Sequence, residues 1–221
     1  MKNNVNMTIA NPTTAAQYFH LLRRQMKRNF RKPLIIASPK GLLRSTVGLF
    51  FPHYLIVSPD PLLQAASSPL EHFLPGTKFE PVLVDTAAQP CPSVDRIVFV
   101  SGKLYYDLAK ARAERGLTSN IAIIRVEELC PFPFEAISAV IQSYRATNPN
   151  LSLAWVQEES RNQGAWPHVS PRLDAVLEGA GLSNTGILYV GRRESEVPAV
   201  GVAKVHQAEV ADLMERAFSL S

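Results

Sequence analysis

Two adjacent carboxylates, Glu158 and Glu159, stand in the stretch AWVQEESRNQGAWPHVSPRL with a glycine turn and both of the chain's tryptophans, Trp155 and Trp166. Paired carboxylates do acid–base work when both reach one substrate atom. Neighbours on an extended strand point to opposite faces, so these two are held apart, and Arg161 offers a local ion-pair partner. The residue types therefore favour a structural role over an acid and a base. Trp155 fits the core of a sheet. Trp166, between Ala165 and Pro167, reads as a loop anchor against another surface.

Other reactive residues lack the partners their chemistry needs. In VSGKLYYDL, Gly102 precedes a helix as in phosphate cradles, but the full P-loop pattern is missing, so a tight turn with a solvated Lys103 is the better reading. His20, His53, His72, His168 and His206 show no metal spacing, and His206 sits at a helix start. Cys91 and Cys130 form no C-x-x-C pair, which argues against zinc or a redox dithiol and leaves two free thiols. The acid-free run Arg23, Arg24, Lys27, Arg28, Arg31 and Lys32 carries much of the net charge of +4. It lacks interleaved aromatics and any reading motif, so a solvated or partner-neutralised face is expected rather than nucleic acid. No apolar run is long enough to span a bilayer, and MKNNVNMTIA has neither a secretory nor a presequence pattern.

The elements that must position these residues follow from periodicity. At 221 residues and 46% hydrophobic, the chain can bury a core. A short strand is expected over residues 5–10, then a helix opened by the capping box Thr14-x-x-Gln17, with Tyr18, Phe19, Leu22 and Met26 at helical spacing. The strand PLIIAS completes a β-α-β unit expected to stand alone. Prolines crowd the stretch from Pro52 to Pro92, which reads as an irregular connector with a domain boundary. After Asp95, strands RIVFVSG, IAIIRV, LSLAWVQ and GILYVG alternate with helices LYYDLAKARAER, FEAISAVIQSY and SPRLDAVLEG. A last helix carries the stripe Val210, Leu213, Met214, Ala217 and Phe218. Such alternation implies an α/β fold with a parallel, two-sided sheet. Its carboxyl edge would gather Ser101-Gly102-Lys103, Glu127-Glu128, Glu158 to Gly164, and Gly191-Arg192-Arg193, where ligands and partners meet such sheets.

The order of NPTTAAQYFHLLRRQMKRNFRKPLIIASPKGLLR, SGKLYYDL, IIRVEELCPFPF, QEESRNQGAWPHVSPRL and VPAVGVAKVH resembles the C-terminal end of the thiamine-diphosphate-dependent dehydrogenase component of 2-oxoglutarate dehydrogenase complexes. RVEELCPFP, VSPRL and VPAVG look more like the 2-oxoadipate-type branch. The resemblance implies a transketolase-like fold: residues 1–45 as the last β-α-β of the pyrimidine-binding domain, orphaned from the rest, residues 46–92 as a connector, and residues 93–221 as the C-terminal domain. The stretch 46–60, TVGLFFPHYLIVSPD, has no counterpart and is expected to be an insert of retained-intron type.

The resemblance also implies an oxidoreductase that decarboxylates a 2-oxo acid on thiamine diphosphate and Mg²⁺ and passes the acyl group to the lipoyl arm of a partner acyltransferase. The family's cofactor and metal motifs lie upstream of the matched region, so no catalytic, cofactor or metal residue is expected in this chain. The Q-E-E-x-x-N-Q-G segment implies homodimer assembly, with Glu158, Glu159, Asn162, Gln163, Gly164 and Trp166 as interface and positioning residues. A mitochondrial matrix location follows if the source is eukaryotic. Some relatives bind acetyl-CoA between the two domains. Thr8, Arg24 and Lys78 match that site, whereas Pro81, Glu128, Glu135 and Ala136 depart from it. A carboxylate beside CoA phosphates is unfavourable, and no tight acetyl-CoA site is expected. A non-catalytic module docking onto a full-length enzyme is the alternative role.

Overall fold

The computed structural model describes residues 5–38 and 68–219. The segment read as an insert, residues 46–60, lies outside them. The N-terminal unit is strand β1 (Thr8–Ala10), helix α1 (Ala15–Lys27) and strand β2 (Leu34–Ile36), with β1 and β2 parallel. Thr14 caps α1 by accepting the Gln17 amide at 3.3 Å. The reciprocal half of the box is absent. Gln17 is buried and brackets Glu80 instead, donating to its carbonyl at 2.6 Å and accepting its amide at 3.1 Å.

The larger sheet holds β3 (Val82–Leu83), β4 (Arg96–Val100), β5 (Ile121–Val126), β7 (Ser152–Ser160) and β8 (Ile187–Arg192), in the order β3-β5-β4-β7-β8. The helices are α2 (Leu104–Glu114), α3 (Phe134–Arg145), α4 (Trp166–Gly179) and α5 (Ala203–Phe218). The strands alternate as a sheet buried on both faces requires. Ile97, Phe99, Ile124 and Trp155 pack with α3 and α4, while Val98, Val100, Ile123 and Val156 pack with α2 and α5. The expected C-terminal stripe holds this second layer with Leu213, Ala217 and Phe218 buried.

Four expectations need correction. The sheet is not wholly parallel, because β3 pairs antiparallel with β5 at its edge. The stretch before Asp95 is therefore more than an irregular connector: Phe79 is buried against Ala10 and Leu21, and Asp85 is buried against Arg112. The β-α-β unit does not stand alone, since strand β6 (Glu128–Cys130) pairs antiparallel with β1 and makes a sheet of order β2-β1-β6. Finally, α4 begins at Trp166, not at Ser170. Pro167 lies in its first turn, where a missing N–H costs no helix bond, so Trp166 opens a helix instead of riding a loop.

The chain order fixes a crevice. From β4 the chain turns to α2 on one face, and from the adjacent β7 it turns to α4 on the other. Such a switch point is where parallel sheets open at their carboxyl ends. Here the chain's own Ile9 and Asn11 lie beside Ser101 and Gln157.

Candidate functional site

Parallel register puts Val100, Val126, Ser160 and Arg192 at one edge of the sheet, so the four polar stretches do share it. The first is a turn. Gly102 has φ +76°, and a Cβ there would overlap the Asn11 amide. Lys103 is exposed, as a plain turn requires.

The loop after β7 is organised by Gln157, which is 5% exposed. Its Oε1 accepts Trp155 Nε1–H at 3.1 Å and the Trp166 amide at 2.8 Å. Its Nε2 donates to the carbonyls of Ser160 (3.1 Å) and Gln163 (2.8 Å), with Glu159 O at 3.3 Å. One amide thus fixes both tryptophans and the loop between them. Asn162 and Gln163 carry that order to the next loop. Asn162 donates to Ser195 O at 3.0 Å and accepts Ser195 N–H at 3.1 Å, and Gln163 donates to Val197 O at 3.1 Å.

Glu158 and Glu159 diverge. Glu158 lies 3.9 Å from Arg192 and 4.0 Å from His206. Glu159 folds over Gly164, whose φ of +63° and absent Cβ make room for it: an added Cβ would meet Glu159 Cβ at 2.9 Å. Arg161 joins neither carboxylate, and its guanidinium lies 5.4 Å above the Tyr189 ring. His206 is near the start of α5, as expected, and contacts Arg192. Arg192 also lies 3.2 Å from Glu209, close enough for attraction but not aligned as a hydrogen bond.

The six residues expected at an interface are thus brought together. Trp166 differs from the rest. It belongs to the core, with its ring tilted against Tyr189 at 5.1 Å between centroids, so its work within the chain is to position the loop. Glu159, Gly164, Ala165 and His168 line a cleft of about 360 Å³ with Ile9, Asn11, Ala37 and Ser101.

The residues matched to the acetyl-CoA site are otherwise engaged. Thr8 Oγ1 accepts from Arg28 at 3.0 Å. Arg24 makes a two-pronged ion pair with Glu128 and lies 4.4 Å over the Phe79 ring. Lys78 is exposed, 3.7 Å from Glu80. Burial and the neighbouring Arg24 hold the Arg28 guanidinium below its ordinary pKa. The arginine that would meet a phosphate already has a carboxylate.

Two residues that matter here went unremarked in the sequence as single positions: Gln157, and Glu127, a fully buried carboxylate bound to Thr13. A glutamate directly following the buried run IAIIRV was the available signal for the second. Among the described residues no group of three or more His, Cys, Asp or Glu could hold a metal ion, and no helix is long and apolar enough to cross a membrane. Both cysteines are free.

The large sheet with its antiparallel edge and the β-α-β unit docked on it together make a transketolase-like fold. A solved chain titled "Split gene transketolase, inactive beta4 tetramer" shares this fold at a TM-score of 0.55 and 15% identity, over 96% of this chain and 56% of that one. Residues 67–218 match the model for the 2-oxoglutarate dehydrogenase C-terminal domain, and residues 1–46 match the transketolase pyrimidine-binding domain. The chain belongs to the 2-oxoglutarate dehydrogenase family. It is 43% identical over 218 residues to the human "2-oxoadipate dehydrogenase complex component E1", covering 98% of this chain and 21% of that protein. The Xenopus laevis component is also 43% identical, over 220 residues, 98% of this chain and 20% of its own length. The "2-oxoglutarate dehydrogenase, mitochondrial" of Caenorhabditis briggsae is 36% identical, over 99% of this chain and 19% of its own length. The chain thus resembles the 2-oxoadipate-type components more than this 2-oxoglutarate enzyme, and spans about a fifth of the length of the curated relatives it matches.

Proposed function

We propose that this chain acts as the C-terminal part of a 2-oxo acid dehydrogenase component of the 2-oxoadipate type, contributing assembly and active-site support rather than chemistry. The observation that carries the reading is the loop after β7. A single buried amide holds it rigid and leaves the Glu158 and Glu159 side chains exposed at the carboxyl edge. Neither carboxylate faces the other, so an acid–base pair has no geometry to act through. A rigid polar edge beside a cleft suits contact with a second subunit.

On this reading residues 1–45 belong to the pyrimidine-binding domain and residues 93–221 to the C-terminal domain. The partners are a second copy of the dehydrogenase component and the lipoyl-bearing acyltransferase. Thiamine diphosphate and Mg²⁺ are held by residues outside this chain, and the location is the mitochondrial matrix. A second role, a non-catalytic module that docks onto a full-length enzyme, draws support from the solved neighbour, whose title describes a split-gene chain assembling without activity.

Sedimentation velocity over a concentration series tests the surface. The wild-type chain self-associates, and E159R with N162A weakens association while leaving the circular dichroism spectrum unchanged. Association untouched by both substitutions would remove the edge from the interface.

A further inference from the structure

Glu127 is fully buried at the seam between the β-α-β unit and the large sheet. Its carboxylate accepts the Thr13 amide at 2.8 Å and the Thr13 hydroxyl at 2.6 Å, and its main-chain carbonyl accepts the Asn11 amide at 2.8 Å. The same threonine is gripped from the other side. Arg125 donates to Thr13 Oγ1 at 2.9 Å, and Tyr106 donates to the Thr13 carbonyl. Thr13 immediately precedes the cap of α1. Whatever Glu127 does is therefore felt where the β-α-β unit meets the sheet.

The groups facing this carboxyl come from every neighbouring element. Arg125 on β5 reaches it only through the threonine hydroxyl and lies 4.2 Å over the Tyr105 ring. Tyr105 and Tyr106 stand on α2, and Gln17 on α1. The next carboxylate, Glu128, is neutralised by Arg24. No cation touches Glu127 directly among the described residues. Its charge is thus balanced by hydrogen bonds and a guanidinium one hydroxyl away inside a buried seam, which is a costly place for an anion.

We propose that Glu127 is a proton-operated latch: its neutral form holds residues 11–17 against the sheet, and ionisation loosens that seam.

Burial raises the Glu127 carboxyl above the ordinary carboxylate range, against the lowering effect of the Thr13 hydrogen bonds, Arg125 and the Gln17 side chain. The docked state therefore holds its proton more tightly than the released one. Docking is strongest below the ordinary carboxyl pKa and falls as pH rises to the raised value, about tenfold for each pH unit between the two, then levels off. Glutamine keeps the shape without the charge: its carbonyl accepts the Thr13 amide, and its NH₂ donates to the Thr13 hydroxyl oxygen once that hydroxyl turns its own hydrogen away.

The test is hydrogen exchange of the amides of residues 9–17 in the whole chain from about pH 4 to 9, corrected for intrinsic chemistry. Wild-type protection falls across the window and E127Q stays flat. A wild-type chain with flat protection, or an E127Q chain with the same fall, overturns the latch. Carbon-detected titration of the Glu127 carboxyl supplies a second reading. The midpoint lies above the ordinary range and moves higher still in T13V, which loses a hydrogen bond to the anion. A midpoint in the ordinary range, or one that T13V lowers, also overturns it.

Discussion

Replacing Gln157 should expose how much of the loop's order one amide supplies. In Q157A, Trp155 Nε1–H and the Trp166 amide, both on buried residues, lose an acceptor held at 3.1 and 2.8 Å. The carbonyls of Ser160 and Gln163 lose their donor as well, but those at the sheet edge can turn to water. Each buried group left unpaired costs roughly 1–3 kcal/mol, so two donors and a partly rehydrated pair of carbonyls give on the order of 3 kcal/mol. Q157E is the sharper probe. Its carboxylate can accept both N–H groups, but it sets an anion against carbonyl oxygens that now receive nothing. It should be less stable than Q157A at neutral pH and recover in acid, when a proton restores one donor. Urea denaturation followed by tryptophan fluorescence and far-ultraviolet circular dichroism measures both variants. Q157A within about 0.5 kcal/mol of wild type, or Q157E as stable as wild type near neutral pH, would refute the assignment of the loop's order to this side chain.

Other expectations follow from the same contacts. Asp85 and Arg112 form an ion pair with side chains only 4% and 6% exposed, and Asp85 also accepts the Ile123 amide at 2.8 Å. R112A should therefore cost about 3–5 kcal/mol by thermal denaturation, with a D85N/R112M double variant regaining part of the loss. G102A should destabilise by roughly 1–3 kcal/mol, because φ of +76° disfavours a side chain and the Cβ strikes Asn11. Adding N11A should relieve the clash but not the backbone term. Calorimetry with acetyl-CoA should show no saturable binding in the micromolar range for wild type. E128Q, which frees Arg24 from its ion pair, should bind more tightly than wild type, and equal heats for the two proteins would discard the electrostatic argument.

The strands and helices around the main core were legible because their periods are long and undiluted. RIVFV is buried at every position in β4, and its side chains alternate between two helix layers as a two-sided sheet demands. β3 and β6 were not legible, since two or three residues carry no period and their pairing is set by distant strands. Pro167 and Pro171 delayed the expected start of α4, although a proline in the first turn suits a helix. The opposed faces of Glu158 and Glu159 could be read from strand geometry, whereas the role of Arg161 could not, because Tyr189 comes to it from another strand. Glu127 is the hardest case. In sequence it is half of an acidic pair at the carboxyl edge of the sheet, and its burial depends on Thr13, far earlier in the chain.

On the proposed function this chain supports a 2-oxo acid dehydrogenase without supplying its chemistry. Titration calorimetry of the purified chain with thiamine diphosphate and Mg²⁺, followed by carbon dioxide release from 2-oxoadipate in the same sample, tests it most directly. No saturable heat and no release above the protein-free rate are expected. Saturable micromolar binding with turnover would contradict it.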